Sequence, residues 1–186
     1  MTIQVGDKLP SVTLTTMTEE GPKPVQLQEI CEGKKVVLFA VPGAFTPTCS
    51  AQHLPGYLTN YSALKEKNVD VIACVAVNDP FVMGAWGKDR NVSDQVLMLS
   101  DGNGEFTEAI GLELDGTGFG LGTRSQRYAM VIDSGVVSVF PMCSTSFSPS
   151  QDGIFVSPVP FNNSVILSES NNLRSIIVAD SVEDVK

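Results

Sequence analysis

Lys35-Val-Val-Leu-Phe-Ala-Val-Pro-Gly-Ala-Phe-Thr-Pro-Thr-Cys49 is the stretch on which the fold turns. Its first part, Val36 to Val41, is a short continuous apolar run rich in β-branched residues and stopped by Pro42-Gly43, the pattern of a strand buried on both faces. Its second part is a proline-stiffened loop that delivers a thiol to the start of a helix. Apolar residues recur at Leu54, Tyr57, Leu58, Tyr61 and Leu64, one helical face that gives out toward Lys67 and Asn68. Cys49 falls in the first turn of that helix, and Pro55 inside the pattern predicts a kink.

Outward from this stretch, Val69 to Val77 reads as a second buried strand, and Asn78-Asp79-Pro80 caps a helix running through Trp86. Strand, helix, strand, helix implies a right-handed crossover and a parallel pair. Val96 to Leu99 gives a third strand, Asp101-Gly-Asn-Gly104 a turn, and a short helix leads toward Ile110. The glycine-rich Asp115 to Gly122 reads as a loop. Tyr128 to Ile132, the turn Asp133-Ser134-Gly135, and Val136 to Phe140 make a hairpin. The expectation is one α/β domain with a central mixed β-sheet flanked by helices, occupying residues 1–140. Beyond Phe140 the texture changes to Ser, Asn, Val and Pro. The divergent segment 141–186 is expected to pack on the same domain, with candidate short strands at Ile154–Val156, Val165–Leu167 and Ile176–Val178.

With 186 residues, 42% hydrophobic and 18% charged, the chain can bury a full core as a single domain. A formal charge of −9, from 21 acidic and 12 basic side chains, repels phosphate backbones and anionic lipid, so no nucleic acid and no membrane partner is expected. No apolar run reaches the ~18 residues of a membrane span, and no secretory signal is legible, which points to a cytoplasmic protein. Cys31, Cys49, Cys74 and Cys143 neither form a disulfide scaffold nor pair at zinc-knuckle spacing. No metal and no cofactor is expected. In a reducing compartment such thiols are structural or reactive.

Cys49 is the reactive candidate. A thiolate is the nucleophile, a free thiol near ~8.5 is mostly protonated at neutrality, and the positive end of a helix favours the anion. Thr46 can turn its hydroxyl toward the sulfur or a bound oxygen, while Pro42 and Pro47 fix the loop. Sulfur attack on an O–O bond spreads negative charge and calls for a fixed cation. Arg127, at the mouth of the strand that begins at Tyr128, is the choice and Arg124 the rival; pattern alone does not separate them. His53, the only histidine, lacks the orienting carboxylate of a hydrolase dyad and the company of other ligands, so it reads as a packing or loop-bonding residue. Gly116, Gly118, Gly120 and Gly122 do not form a dinucleotide fingerprint.

Val41-Pro-Gly-Ala-Phe-Thr-Pro-Thr-Cys49 with Ser50-Ala-Gln-His-Leu-Pro-Gly56 resembles the active-site segment of type II peroxiredoxins, including the P-x-x-x-T-x-x-C pattern. Val77-Asn-Asp-Pro-Phe-Val-Met83 with Ala85-Trp-Gly87, and Gly120-Leu-Gly-Thr-Arg-Ser-Gln-Arg-Tyr-Ala-Met130, are similar to later blocks of that family in the same order. The resemblance runs from about Ile3 to Phe140. It implies a thioredoxin-like fold and a thiol-dependent peroxidase that reduces hydrogen peroxide and alkyl hydroperoxides through a Cys49 sulfenic acid. Pro42, Thr46, Cys49 and Arg127 form the implied catalytic set, Phe45 and Leu121 line the substrate approach, and Trp86 packs near it. The implied partners are glutaredoxin with glutathione, or thioredoxin, as reductant, and a second copy in a homodimer.

Cys74 stands where a branch of the family well represented in plants carries its second cysteine, which makes it the candidate resolving thiol. Its place in a strand means that the Cys49 region would have to unwind before the two could bridge. Cys143 competes from the tail, and Cys31 reads as a half-buried apolar residue. The alternative function is a peroxide-sensing or redox-binding protein that has lost efficient turnover through its altered C-terminal segment. A disulfide exchanger is disfavoured, because no second thiol stands one helical turn from Cys49.

Overall fold

The apolar runs around Val36 and Val75 meet as parallel neighbours at the centre of a sheet. The computed structural model describes residues 1–47, 49–140, 164–167 and 176–179. In chain order these give β1 (Thr13–Thr18), β2 (Gly21–Gln26), α1 (Leu27–Cys31) and β3 (Lys35–Ala40). A π-helical turn, Cys49–His53, leads into α2 (Leu54–Thr59) and α3 (Tyr61–Glu66). Then come β4 (Val71–Ala76), α4 (Pro80–Asp89), β5 (Leu97–Ser100), α5 (Glu105–Ala109), β6 (Glu113–Asp115), β7 (Thr123–Ser125), β8 (Tyr128–Asp133) and β9 (Val136–Val139). The main sheet has the order β2-β1-β5-β4-β3-β8-β9, with β3, β4 and β5 parallel and β1, β8 and β9 antiparallel to their neighbours. This is the mixed sheet flanked by helices that the sequence predicts.

Strand alternation divides the interior into two cores. Val36, Leu38, Ala40, Ala73, Val75, Met130 and Ile132 face one side, where α1 and α5 contribute Ile30 and Phe106. Val37, Phe39, Val41, Ile72, Cys74, Ala76 and Val131 face the other, against Cys49, Leu54, Tyr57, Leu64, Met83 and Trp86. The site is built on this second face. Its α4 starts where expected: the Asp79 carboxylate accepts the Val82 N–H at 2.9 Å, and Pro80 occupies the first turn, where no donor is needed.

Three elements depart from the sequence reading. The hairpin β1–β2, with Thr13 opposite Gln26 and Thr18 opposite Gly21, was not signalled by apolar alternation, and Pro22 and Pro24 argue against a strand. They are tolerated because β2 is the sheet edge. The glycine-rich stretch holds a short 3-10 turn, Thr117–Phe119, between paired β6 and β7. Instead of one helix kinked at Pro55, the chain winds as a π turn up to His53, becomes α-helical at Leu54, and breaks at Asn60, whose side-chain amide donates to the Gly56 carbonyl at 2.9 Å. In the tail, β10 (Ser164–Leu167) and β11 (Ile176–Ala179) pair antiparallel with each other. Cys143, the candidate strand at Ile154–Val156 and the rest of segment 141–186 lie outside the described residues.

Candidate active site

Alternation along β8 decides which arginine reaches the cysteine. Ala129 and Val131 face the second core, so Arg127, in step with them, points its side chain to the same face as Cys49. The ladder pairs Ala40 with Tyr128, so Arg127 stands at the end of β3 from which the cysteine loop departs. Arg127 Nη2–H donates to Cys49 Sγ at 3.2 Å. Its Nη1 is buried and has no hydrogen-bond partner among the described residues. The sulfur thus has a fixed positive neighbour and, beside it, a donor still unsatisfied.

Arg124 does different work from the small β6–β7 hairpin. Its Nε–H donates to the Leu121 carbonyl at 2.8 Å and Nη1–H to the Val77 carbonyl at 3.1 Å, clasping the glycine-rich loop to the end of β4. A Cβ at Gly43 would lie 3.4 Å from that same Nη1, so the clasp also abuts the cysteine loop.

The loop is over-determined. The Ala44 N–H donates to Asn78 Oδ1 at 2.9 Å, the Thr46 hydroxyl to the Gly43 carbonyl at 2.8 Å, and the Ser50 N–H to the Thr46 carbonyl at 3.0 Å. Phe45 holds a left-handed φ of 61° in the middle of it, a cost of order 1–3 kcal/mol that only surrounding contacts can sustain. Pro42 is buried. The expectation for Thr46 needs a correction: its proton goes to the loop backbone rather than toward the sulfur, so any incoming O–H meets its lone pairs. Phe45, in the loop that leads into the Cys49 turn, is 50% exposed, and Leu121, whose carbonyl accepts from Arg124, is half-buried.

A family model described as Redoxin matches residues 4–139. The chain is 53% identical over 141 residues to Peroxiredoxin-2E, chloroplastic, of Arabidopsis thaliana, which covers 74% of this chain and 60% of that one. To Peroxiredoxin-2D of the same plant it is 48% identical over 138 residues, 74% of this chain and 85% of the relative. The crystal structure of reduced Prx3 in complex with hydrogen peroxide from Vibrio vulnificus superposes with a TM-score of 0.74 at 54% identity, covering 80% of this chain and 93% of that one. The chain belongs to the type II peroxiredoxin family. The fold is accordingly thioredoxin-like. This peroxiredoxin spans about three fifths of the length of the chloroplast relative.

Within this peroxiredoxin, Cys74 sits on β4 opposite Phe39, fully buried on the same face as Cys49. Burial first, and the neighbouring Cys49 second, push the Cys74 thiol well above its ordinary value, against a smaller opposing pull from Arg127. Tyr57 of α2 stacks on Phe39, centroids 3.8 Å apart and planes 7° from parallel. Its phenol is raised by burial and then by Cys74, so it stays a neutral hydroxyl in the same cluster. Cys31, expected as a half-buried apolar residue, is fully buried in the opposite core, and burial pushes its thiol up to about 11. Trp86 is 0% exposed and belongs to the same core as Cys49; its indole N–H donates to Ser50 Oγ at 3.0 Å, next to the cysteine in the chain. Ser50 and Asn78 are the site-building residues that the sequence reading did not single out. Ser50 gave no signal beyond its adjacency to Cys49, and Asn78 was legible only as part of a helix cap.

His53, at the end of the π turn, is pushed down to about 3 from an ordinary 6.5, by burial and then by the Arg127 charge. Between those two values the unfolded chain binds a proton that the folded one refuses, so stability falls as pH drops through the window. Urea unfolding at pH 7 and pH 5 should show the wild type losing on the order of 1–2 kcal/mol more than His53→Gln over that interval; equal losses would exclude this role for the imidazole.

Proposed function

We propose that this chain is a thiol-dependent peroxidase whose nucleophile is Cys49, reducing hydrogen peroxide and alkyl hydroperoxides. One observation supports the reading above all: the 3.2 Å hydrogen bond from Arg127 to the Cys49 sulfur, with the second guanidinium nitrogen buried and unsatisfied beside it. The guanidinium sets a fixed positive charge and a donor against the Cys49 sulfur, and its unused donor meets the need of a hydroperoxide oxygen as charge builds on it. Reduced Prx3 of Vibrio vulnificus has been crystallised in complex with hydrogen peroxide.

In the first step a sulfur electron pair forms an S–O bond to the terminal peroxide oxygen as the O–O bond breaks. The leaving alkoxide or hydroxide takes up a proton and departs as alcohol or water, and Cys49 is left as sulfenic acid. Thr46 accepts from the hydroperoxide O–H through a lone pair, its own proton being held by Gly43. Pro42 shapes the loop, and Phe45 and Leu121 flank the entrance. In the second step a thiol attacks the sulfenic sulfur, giving a disulfide and water. We assign Cys74 as the resolving thiol, because it shares the buried face with Cys49, with glutaredoxin and glutathione or thioredoxin as the terminal reductant. The active unit in this proposal is a homodimer acting in the cytoplasm.

Arg127→Gln should lower the rate constant for reaction with hydrogen peroxide by roughly 10²–10³, measured by competition with a second peroxidase, while Arg124→Gln lowers it far less. The reverse order would move the catalytic cation to Arg124. After one equivalent of peroxide, peptide mass spectrometry should find Cys49 bridged to Cys74. A bridge to Cys143, or none until glutathione is added, would remove Cys74 from the cycle.

A further inference from the structure

Cys49 is 0% exposed, so a sulfenic acid formed there is beyond the reach of any protein thiol. Cys74 cannot come to it either, because β4 is hydrogen-bonded to β3 on one side and β5 on the other. The Cys49 turn has to move in every version of the second step. Among the described residues three hydrogen bonds restrain its first two residues. Arg127 holds the sulfur itself, a bond that oxidation alters. The Ser50 N–H bond to the Thr46 carbonyl is local and closes within the turn. The third is the buried hydrogen bond from Trp86 Nε1–H to Ser50 Oγ, which ties the turn to a residue of α4, 36 positions away. That helix is itself fixed: at Gly84 a Cβ would come within 2.6 Å of Met17 on β1, so α4 rides directly on the sheet.

We infer that the Trp86–Ser50 hydrogen bond is a latch on the Cys49 turn, a pair of positioning residues that sets how fast the oxidised sulfur reaches a reducing thiol. The inference rests on the peroxidase reading for its consequence, though not for the latch. Opening strips a buried indole N–H of its acceptor, a cost added to the barrier of recycling. While the turn stays shut, sulfenic acid meets peroxide again. The two fates are Cys49–SOH plus R–SH giving Cys49–S–S–R plus water, and Cys49–SOH plus H2O2 giving Cys49–SO2H plus water. A tighter latch therefore favours irreversible oxidation and a looser one favours turnover.

Trp86→Phe keeps the ring and removes the donor. Rapid-quench mass spectrometry after a peroxide pulse gives the rate constants for sulfenic acid formation and for its consumption, by Cys74 in one arm and by dithiothreitol in a Cys74→Ser arm. The ratio of consumption to formation should rise about fivefold in Trp86→Phe, and the peroxide concentration that half-converts Cys49 to sulfinic acid should rise in step. Ser50→Ala should move both quantities the same way, and Ser50→Thr, which keeps an acceptor, should return them toward wild type. In the reduced protein, with no peroxide present, alkylation of Cys49 by a bulky maleimide should also quicken about fivefold. If wild type forms no sulfenic acid, the peroxidase reading fails and the maleimide arm still decides the latch. An effect seen only with dithiothreitol removes Cys74 as resolver and leaves the latch standing. An unchanged or lowered ratio together with an unchanged maleimide rate overturns it, and Ser50→Ala decides the matter if Trp86→Phe does not fold.

Discussion

The contact between the Arg127 guanidinium and the Cys49 sulfur, 3.2 Å across the end of β3, is the interaction on which the site depends. It joins residues 78 positions apart, and nothing local brings them together. The antiparallel register of β3 and β8 puts residue 127 at the strand end from which the cysteine loop leaves, and the period of two along β8 turns its side chain to the sulfur's side of the sheet. Slipping that register by one residue would send the cation to the opposite core. The apolar runs that build the central sheet are therefore as necessary to the chemistry as the charged group.

The same face holds a second thiol and a phenol within its apolar core, and the imidazole of His53 stands at the end of the Cys49 turn. Low polarity keeps Cys74 and Tyr57 neutral and His53 unprotonated, while the Arg127 guanidinium donates to the Cys49 sulfur. Burial also sets two demands against each other. Attack on a small hydroperoxide favours a closed, dry turn, whereas a thiol partner needs the turn open. A π-helical winding, rare in proteins and frequent at functional sites, runs from Cys49 to His53 where the chain has to stand between those states.

Much of this was legible in the chain. Buried parallel strands are written as unbroken apolar runs rich in β-branched residues, and β3 (Lys35–Ala40) and β4 (Val71–Ala76) sit where those runs lie. Asp79-Pro80 announced the start of α4. What could not be read rests on contacts with no periodic signature. The two prolines of β2 hid a strand that survives only because it is an edge. Arg124 and Arg127 were indistinguishable by residue type, and strand alternation with hairpin pairing gave them separate tasks. Thr46 could be placed in the loop but its hydrogen-bond direction could not, since that follows from the position of the Gly43 carbonyl. The bond from Trp86 to Ser50 depends on how a helix packs across the sheet, which no pattern within either segment encodes.

The most direct measurement is chemical trapping of the oxidised residue. Treating the reduced protein with substoichiometric hydrogen peroxide in the presence of dimedone, and mapping the adduct by peptide mass spectrometry, should place it on Cys49 and leave Cys31, Cys74 and Cys143 unlabelled. An adduct on one of those three instead, or neither an adduct nor a disulfide at Cys49 while peroxide is consumed, would contradict the central claim that the guanidinium-held sulfur is the one that takes the oxygen.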